Sequence, residues 1–182
     1  MNEETKSFGK PYGEPFSKTA KFVHWGFIGV FVYALTKQLD EVEELEDAVL
    51  LQNEMIFATV FLVILIARFV YIRFTQSSAL PAATPKHMMV LAKSVHGLMY
   101  VCLAGIAVSG LWIGNMYGAG TKSGTMMEAA LLLHEIFVNS TYFLILAHIA
   151  GAVYHRRQKD GIWDAMVPFW KEAGGQASRS KS

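Results

Sequence analysis

The stretch "LLLHEIFVNSTYFLILAHIAGAVYHRR", residues 131–157, decides the fold: it is apolar enough for a membrane helix, yet it keeps His134, His148 and His155 in line. A helix turns about 100° and rises about 1.5 Å per residue, so the step from His134 to His148 falls about 40° short of four turns over about 21 Å. The two imidazoles therefore share one face at two depths. His155 drifts by only about 20° more and sits beside Arg156 and Arg157. One interhelical hydrogen bond explains many isolated intramembrane histidines. Two on one face at opposite depths point to function instead. For His155, a polar-surface role and a functional one stay equally open.

Working outward, the composition puts this helix in a membrane. Of the 182 residues, 53% are hydrophobic and the mean hydropathy is positive, which is high for a soluble chain of this length. Four apolar stretches, roughly residues 20–37, 49–73, 95–114 and 129–154, are each long enough to cross about 30 Å of hydrocarbon. Lys and Arg collect on the cytoplasmic side of such helices. Here Lys6, Lys10, Lys18 and Lys21 precede the first stretch; Arg68, Arg73, Lys86 and Lys93 bracket the join between the second and third; Arg156, Arg157, Lys159, Lys171, Arg179 and Lys181 end the chain. These are 14 of its 16 basic residues. The join between the first and second stretches, "QLDEVEELED", is acidic, and that between the third and fourth holds only Lys122. The expected architecture is all-α, a four-helix transmembrane bundle with both termini cytoplasmic.

Residues 1–17 read as a cytoplasmic tail, with Ser17 a cap for the first helix; residues 18–168 read as the membrane domain and 169–182 as a flexible C-terminal tail. The polar residues before the first stretch lead us to expect no cleavable signal peptide there. The linker "TQSSALPAATPKH" holds two prolines and cannot be one continuous helix; His87 falls in it and is expected to face solvent. "GIWDAMVPFW", residues 161–170, places aromatics beside charges, as suits a short element at headgroup level. The single cysteine, Cys102, excludes a disulfide framework or cysteine-rich metal motif and reads as core. No P-loop or Rossmann glycine pattern is present, and nothing points to nucleic acid.

Depth then selects partners for the histidines. His24 follows Lys21 and His96 follows Lys93, so both lie near the inner ends of their helices, at the level of His148 rather than of His134. Two imidazoles facing each other across a helix bundle, with small residues making room, can hold a haem. Gly26, Gly29, Gly97, Gly105 and Gly110 could give that room or simply pack helices closely. Arg68, near the inner end of the second stretch, either snorkels to the surface or faces inward to an anion such as a haem propionate. Glu54 lies fourteen residues earlier on the same face, at the level of His134.

These residues resemble the bacterial cytochrome b561 family and the cytochrome b subunits of membrane hydrogenases and formate dehydrogenases. The likeness covers about residues 18–168 and is carried by "KFVHWGF", "ILIARFVYIRF", "PKHMMVLAKSVHGLMYVCLAGIAVSGLWI", and "HEIFVNSTYFLILAHIAGAVYH" with "DAMVP" after it. It implies a bundle with two b haems, one near each membrane face, with His24 and His148 matching the ligands of the inner haem and His134 one ligand of the outer. The other outer ligand should be a histidine near the start of the second span, where this chain has Glu54 in "LLQNEMIFATVF". Three readings follow: Glu54 ligates the outer iron, the outer haem is five-coordinate on His134, or the outer site is empty. His96, in the family-like "HGLMY", and His155 are candidates to hydrogen-bond around the inner site, to line a quinone pocket or to act as alternate ligands.

The leading expectation is a membrane b-type cytochrome of the bacterial inner membrane, multi-pass and lipid-embedded, passing electrons between a redox partner and the quinone pool through one or two haem b groups. The redox partner would be a soluble or peripheral subunit, on either side of the electron flow. One alternative is a stand-alone superoxide:quinone oxidoreductase, although six acidic residues in residues 38–47 would repel a superoxide anion unless Lys37 and Lys122 offset them. Another is a haem-free proton or ion transporter, or a membrane anchor, using the same histidines, Glu54 and Arg68 along the bundle.

Overall fold

The computed structural model describes residues 15–37, 42–76, 80 and 84–172. Among these residues every regular element is helical. Four long helices are α1 (Lys18–Leu35), α2 (Ala48–Thr75), α3 (Lys86–Gly118) and α4 (Thr125–Gln158), followed by a short α5 (Ile162–Met166). A 3-10 turn, Val42–Glu46, precedes α2.

The sequence starts and stops these helices by recognisable means. The Ser17 hydroxyl accepts from the Ala20 amide at 3.1 Å, and the Asp47 carboxylate accepts from the Val49 and Leu50 amides at the start of α2; both satisfy donors that a helix leaves open at its first turn. Pro85 precedes α3. The last turn of α4 carries His155, Arg156 and Arg157, and the two guanidinium cations stand where the helix dipole is negative. Lys159, at φ 54°, ends α4, and Gly161, at φ 84°, turns the chain into α5.

Three helices, α2, α3 and α4, are long and apolar enough to cross a membrane. The fourth expected span, α1, is not among them, because Lys18, Lys21 and His24 fall within its 18 residues. At about 1.5 Å per residue α3 and α4 reach about 50 Å, well beyond the expected stretches 95–114 and 129–154. Once a helix leaves hydrocarbon, continuing it keeps its backbone bonded, and the polar first turns of α3 do this. His87 therefore lies in α3, not in a linker, and is exposed.

Helix α3 packs against both α2 and α4, α1 lies on α2, and α5 returns to α4. One core cluster joins Phe27 of α1, Phe61 and Leu65 of α2, and Leu103 and Ala107 of α3. The other joins Leu45 of the 3-10 turn with Ile113, Tyr117, Met127 and Ala130. Cys102 is buried, as expected of a core residue. The outside stays apolar: Phe143 is 72% exposed and Leu146 68%, a surface matched to lipid rather than water. Beyond Leu144, α4 buries no residue, although His148 lies there.

Candidate functional site

Because α4 is unbroken from residue 125 to 158, His134 and His148 keep the four-turn relation read from their spacing. At the level expected to be the inner one, α1, α2, α3 and α4 each contribute one polar group: His24, Arg68, His96 and His148. The rings of His24 and His148 lie 6.4 Å apart at 64°. Two imidazoles bound to one metal from opposite sides, with bonds of about 2 Å, have centroids about 6 Å apart. The His96 ring is closer to His148, at 4.8 Å and nearly perpendicular, a ring-to-ring contact with too little room for a shared metal between them.

Hydrogen bonds fix the tautomers. The Ala92 carbonyl can only accept, so its 2.7 Å bond with His96 Nδ1 puts the proton on Nδ1 and leaves Nε2 bare. A guanidinium can only donate, so Arg68 Nη2, 2.7 Å from His24 Nδ1, makes that nitrogen the acceptor. His148 makes no hydrogen bond among the described residues.

Arg68 faces inward rather than snorkelling. Its Nη1 donates to the Tyr100 hydroxyl at 2.6 Å, and its guanidinium lies over the rings of Phe27 and Tyr100 at 5.3 and 5.2 Å. Its Nε is buried with no partner among the described residues, which is costly for a charged group unless something else occupies the site. The missing core beyond Leu144 and this orphaned N–H lie at the same level. A flat anionic group inserted between α1 and α4 would answer both.

Open space also sorts the glycines. A Cβ at Gly26, Gly29 or Gly97 would meet nothing within 4 Å, whereas one at Gly105 would lie 2.5 Å from the Phe137 ring and one at Gly114 2.9 Å from Met55 Cγ. The last two serve close packing of α3 against its neighbours. Gly110 faces His134, whose Cε1 would be 3.5 Å from such a Cβ.

Fourteen residues earlier on α4, His134 Nδ1 is 2.9 Å from the Ser109 hydroxyl, and that hydroxyl donates to the Gly105 carbonyl at 2.6 Å. Its proton being spent, Ser109 accepts from Nδ1–H, and His134 Nε2 is bare. Ser109 is 2% exposed and escaped the sequence reading, since a small residue beside Gly110 looks like helix packing. Glu54 makes no hydrogen bond or ion pair among the described residues; the cation acting on it is Lys37. No hydrogen bond or ion pair joins Glu54 to His134.

His155 stands apart from the inner group: its Nδ1 meets Asp160 Oδ2 at 2.6 Å, in the turn to α5. On the opposite end, Lys122 donates to Glu46 at 2.8 Å; through this hydrogen bond the ammonium holds the Glu46 carboxyl below its usual range, and the carboxylate raises Lys122 in turn. No three His, Cys, Asp or Glu side chains converge on one metal position among the described residues.

A model of the prokaryotic cytochrome b561 family matches residues 15–169, spanning all five α-helices. No curated protein and no solved structure matches the chain.

Proposed function

The chain belongs to the prokaryotic cytochrome b561 family, membrane b-type cytochromes of electron transfer that bind haem b, and from that premise we propose that it passes electrons between a redox partner and the quinone pool. It does so as a four-helix bundle crossing the bacterial inner membrane, with both termini cytoplasmic. The observation that carries the proposal is the opposition of His24 and His148 beside an inward Arg68 with an unpaired Nε.

His24 and His148 are the residues that hold haem at the inner level, and their 6.4 Å separation supports this pair over His96 with His148. Haem b, when bound, supplies a one-electron iron couple whose potential is set by axial ligands, burial and nearby charge. Arg68 offers its Nε–H and positive charge to an anionic substituent, held away from the surface by Phe27 and Tyr100. The bare Nε2 of His96 is an acceptor, suited to the hydroxyl proton of a quinol. At the outer level, the Ser109 bond that leaves His134 Nε2 bare supports a second haem, with Glu54 as its other ligand or with that position open. The apolar exterior faces lipid, and a soluble or peripheral redox subunit is the partner that exchanges electrons with the haem.

The superoxide reading loses one of its two compensating cations, since Lys122 is paired with Glu46. Haem per chain by pyridine haemochrome, with a reduced-minus-oxidised spectrum, tests the proposal. One or two haems with a b-type alpha band are expected; a colourless purified chain would sink it in favour of a transporter or anchor.

A further inference from the structure

The start of α1 and the end of α5 are joined by three hydrogen bonds to three successive carbonyls. Lys21 Nζ donates to the Asp164 carbonyl at 2.7 Å, the Phe16 amide to Ala165 at 3.2 Å, and the Trp25 indole N–H to Met166 at 3.3 Å. The Trp25 ring also packs against Phe169 at 5.1 Å. Carbonyls at a helix end lack partners within the helix, and a helix of five residues has no stability of its own. The order of α5 therefore comes from what it docks on.

At its other end α5 is fixed to α4. The His155–Asp160 bond, a bond from the Ile162 amide to Asp160 Oδ1 at 3.1 Å, and the left-handed Lys159 and Gly161 form the turn. After α5, the Glu172 amide donates to Asp164 Oδ1 at 2.9 Å. The result is a bracket from the end of α4 to the start of α1. Few other contacts span that side, because α1 rests on α2 and α3 through Phe27 and α4 buries nothing past Leu144. His24 immediately precedes Trp25.

We infer that Lys21 and Trp25 are positioning residues for the inner site: acting through α5, they set the separation and mutual angle of His24 and His148. The inference rests on the reading that this pair holds a haem. Lys21 and Trp25 need not touch the haem, and their effect is transmitted by the helix that carries His24.

The test uses the purified holoprotein with Trp25→Phe, which keeps a ring against Phe169 but removes the N–H, with Lys21→Met, with both, and with Lys21→Arg as the conservative control. The readouts are haem per chain, the low-spin ferric resonance, which reports the relative orientation of two axial imidazoles, and the rate of haem loss to a scavenger. The double variant is expected to shift or broaden the resonance and to lose haem about fivefold faster, the scale of one net hydrogen bond, while Lys21→Arg stays as wild type. An unchanged resonance and loss rate in the double variant would overturn the inference. If the double variant retains no haem, the Trp25→Phe variant decides by the same resonance. In haem-free protein, spin labels at Phe22→Cys and Tyr154→Cys in a Cys102→Ala background read the same gap; both sites are exposed, and the double variant should broaden their distance distribution. A wild-type chain that binds no haem would instead refute the functional proposal, leaving the label distances to judge the bracket.

Discussion

Arg68 Nη2 donates to His24 Nδ1 across 2.7 Å, so the proton of a neutral His24 sits on Nε2. Ligation through Nε2 needs that nitrogen bare and moves the proton to Nδ1, where it would confront a guanidinium that has nothing to accept it with. Holding a metal at His24 therefore requires Arg68 to exchange its imidazole partner for an anion, and its buried Nε already lacks one.

Arg68→Met should lower the midpoint potential of the inner haem. A positive charge favours the reduced iron, and one unit charge within about a nanometre, at an effective dielectric of about 20, contributes about 1–2 kcal/mol, equivalent to about 40–90 mV for one electron. Redox titration of the alpha band measures it; a potential unchanged or raised would mean that Arg68 does not face the haem.

His148→Ala should abolish the low-spin inner signal, because only His24 is then correctly spaced, whereas His96→Ala should retain it. Spectra of the two variants at matched haem load separate them. A low-spin inner haem persisting in His148→Ala would make His96 the partner of His24.

Ser109→Ala removes one hydrogen-bond partner of His134, which also bonds the Ile106 backbone, and should cost about 1 kcal/mol of stability. It should also perturb only the outer of two haem signals, while Ser109→Thr restores it. If both signals move equally, the effect is general loosening of α3 against α4.

Gly105→Ala places a methyl against the Phe137 ring and should lower stability by about 1–3 kcal/mol through overpacking. Thermal unfolding of the detergent-solubilised protein should show it, with haem per folded chain unchanged. A variant as stable as wild type would show that Phe137 yields freely.

The Glu46–Lys122 pair should hold the 3-10 turn to the α3–α4 join only at intermediate pH. Glu46 is lowered in the folded chain, so its contribution is present above the unfolded carboxyl pKa and fades as pH falls through the folded value. Lys122 is raised, so its contribution is complete below the unfolded lysine pKa and fades as pH rises through the folded one. Both side chains are largely exposed, so the effect is small and is best read as hydrogen exchange at residues 42–47. Glu46→Gln should remove the acid-side dependence; persistence of that dependence would assign it to another carboxylate.

Much of this protein is set by one-dimensional pattern. Apolar run lengths placed α2, α3 and α4, Ser17 marked the start of α1, and the interval from His134 to His148 survives because a continuous helix converts residue number directly into angle and height. Depth could be read too, since basic residues gather at one end of each long helix, and so His24, His96 and His148 were expected at one level. What spacing along a helix cannot give is which way neighbouring helices are rotated about their axes. That rotation is decided by packing: Gly105 admitting Phe137, Met55 meeting Gly114, and α5 tying Trp25 to Met166. Only there did Arg68 turn inward to His24, Ser109 acquire His134 as its partner, and His155 pair with Asp160 apart from the inner imidazoles.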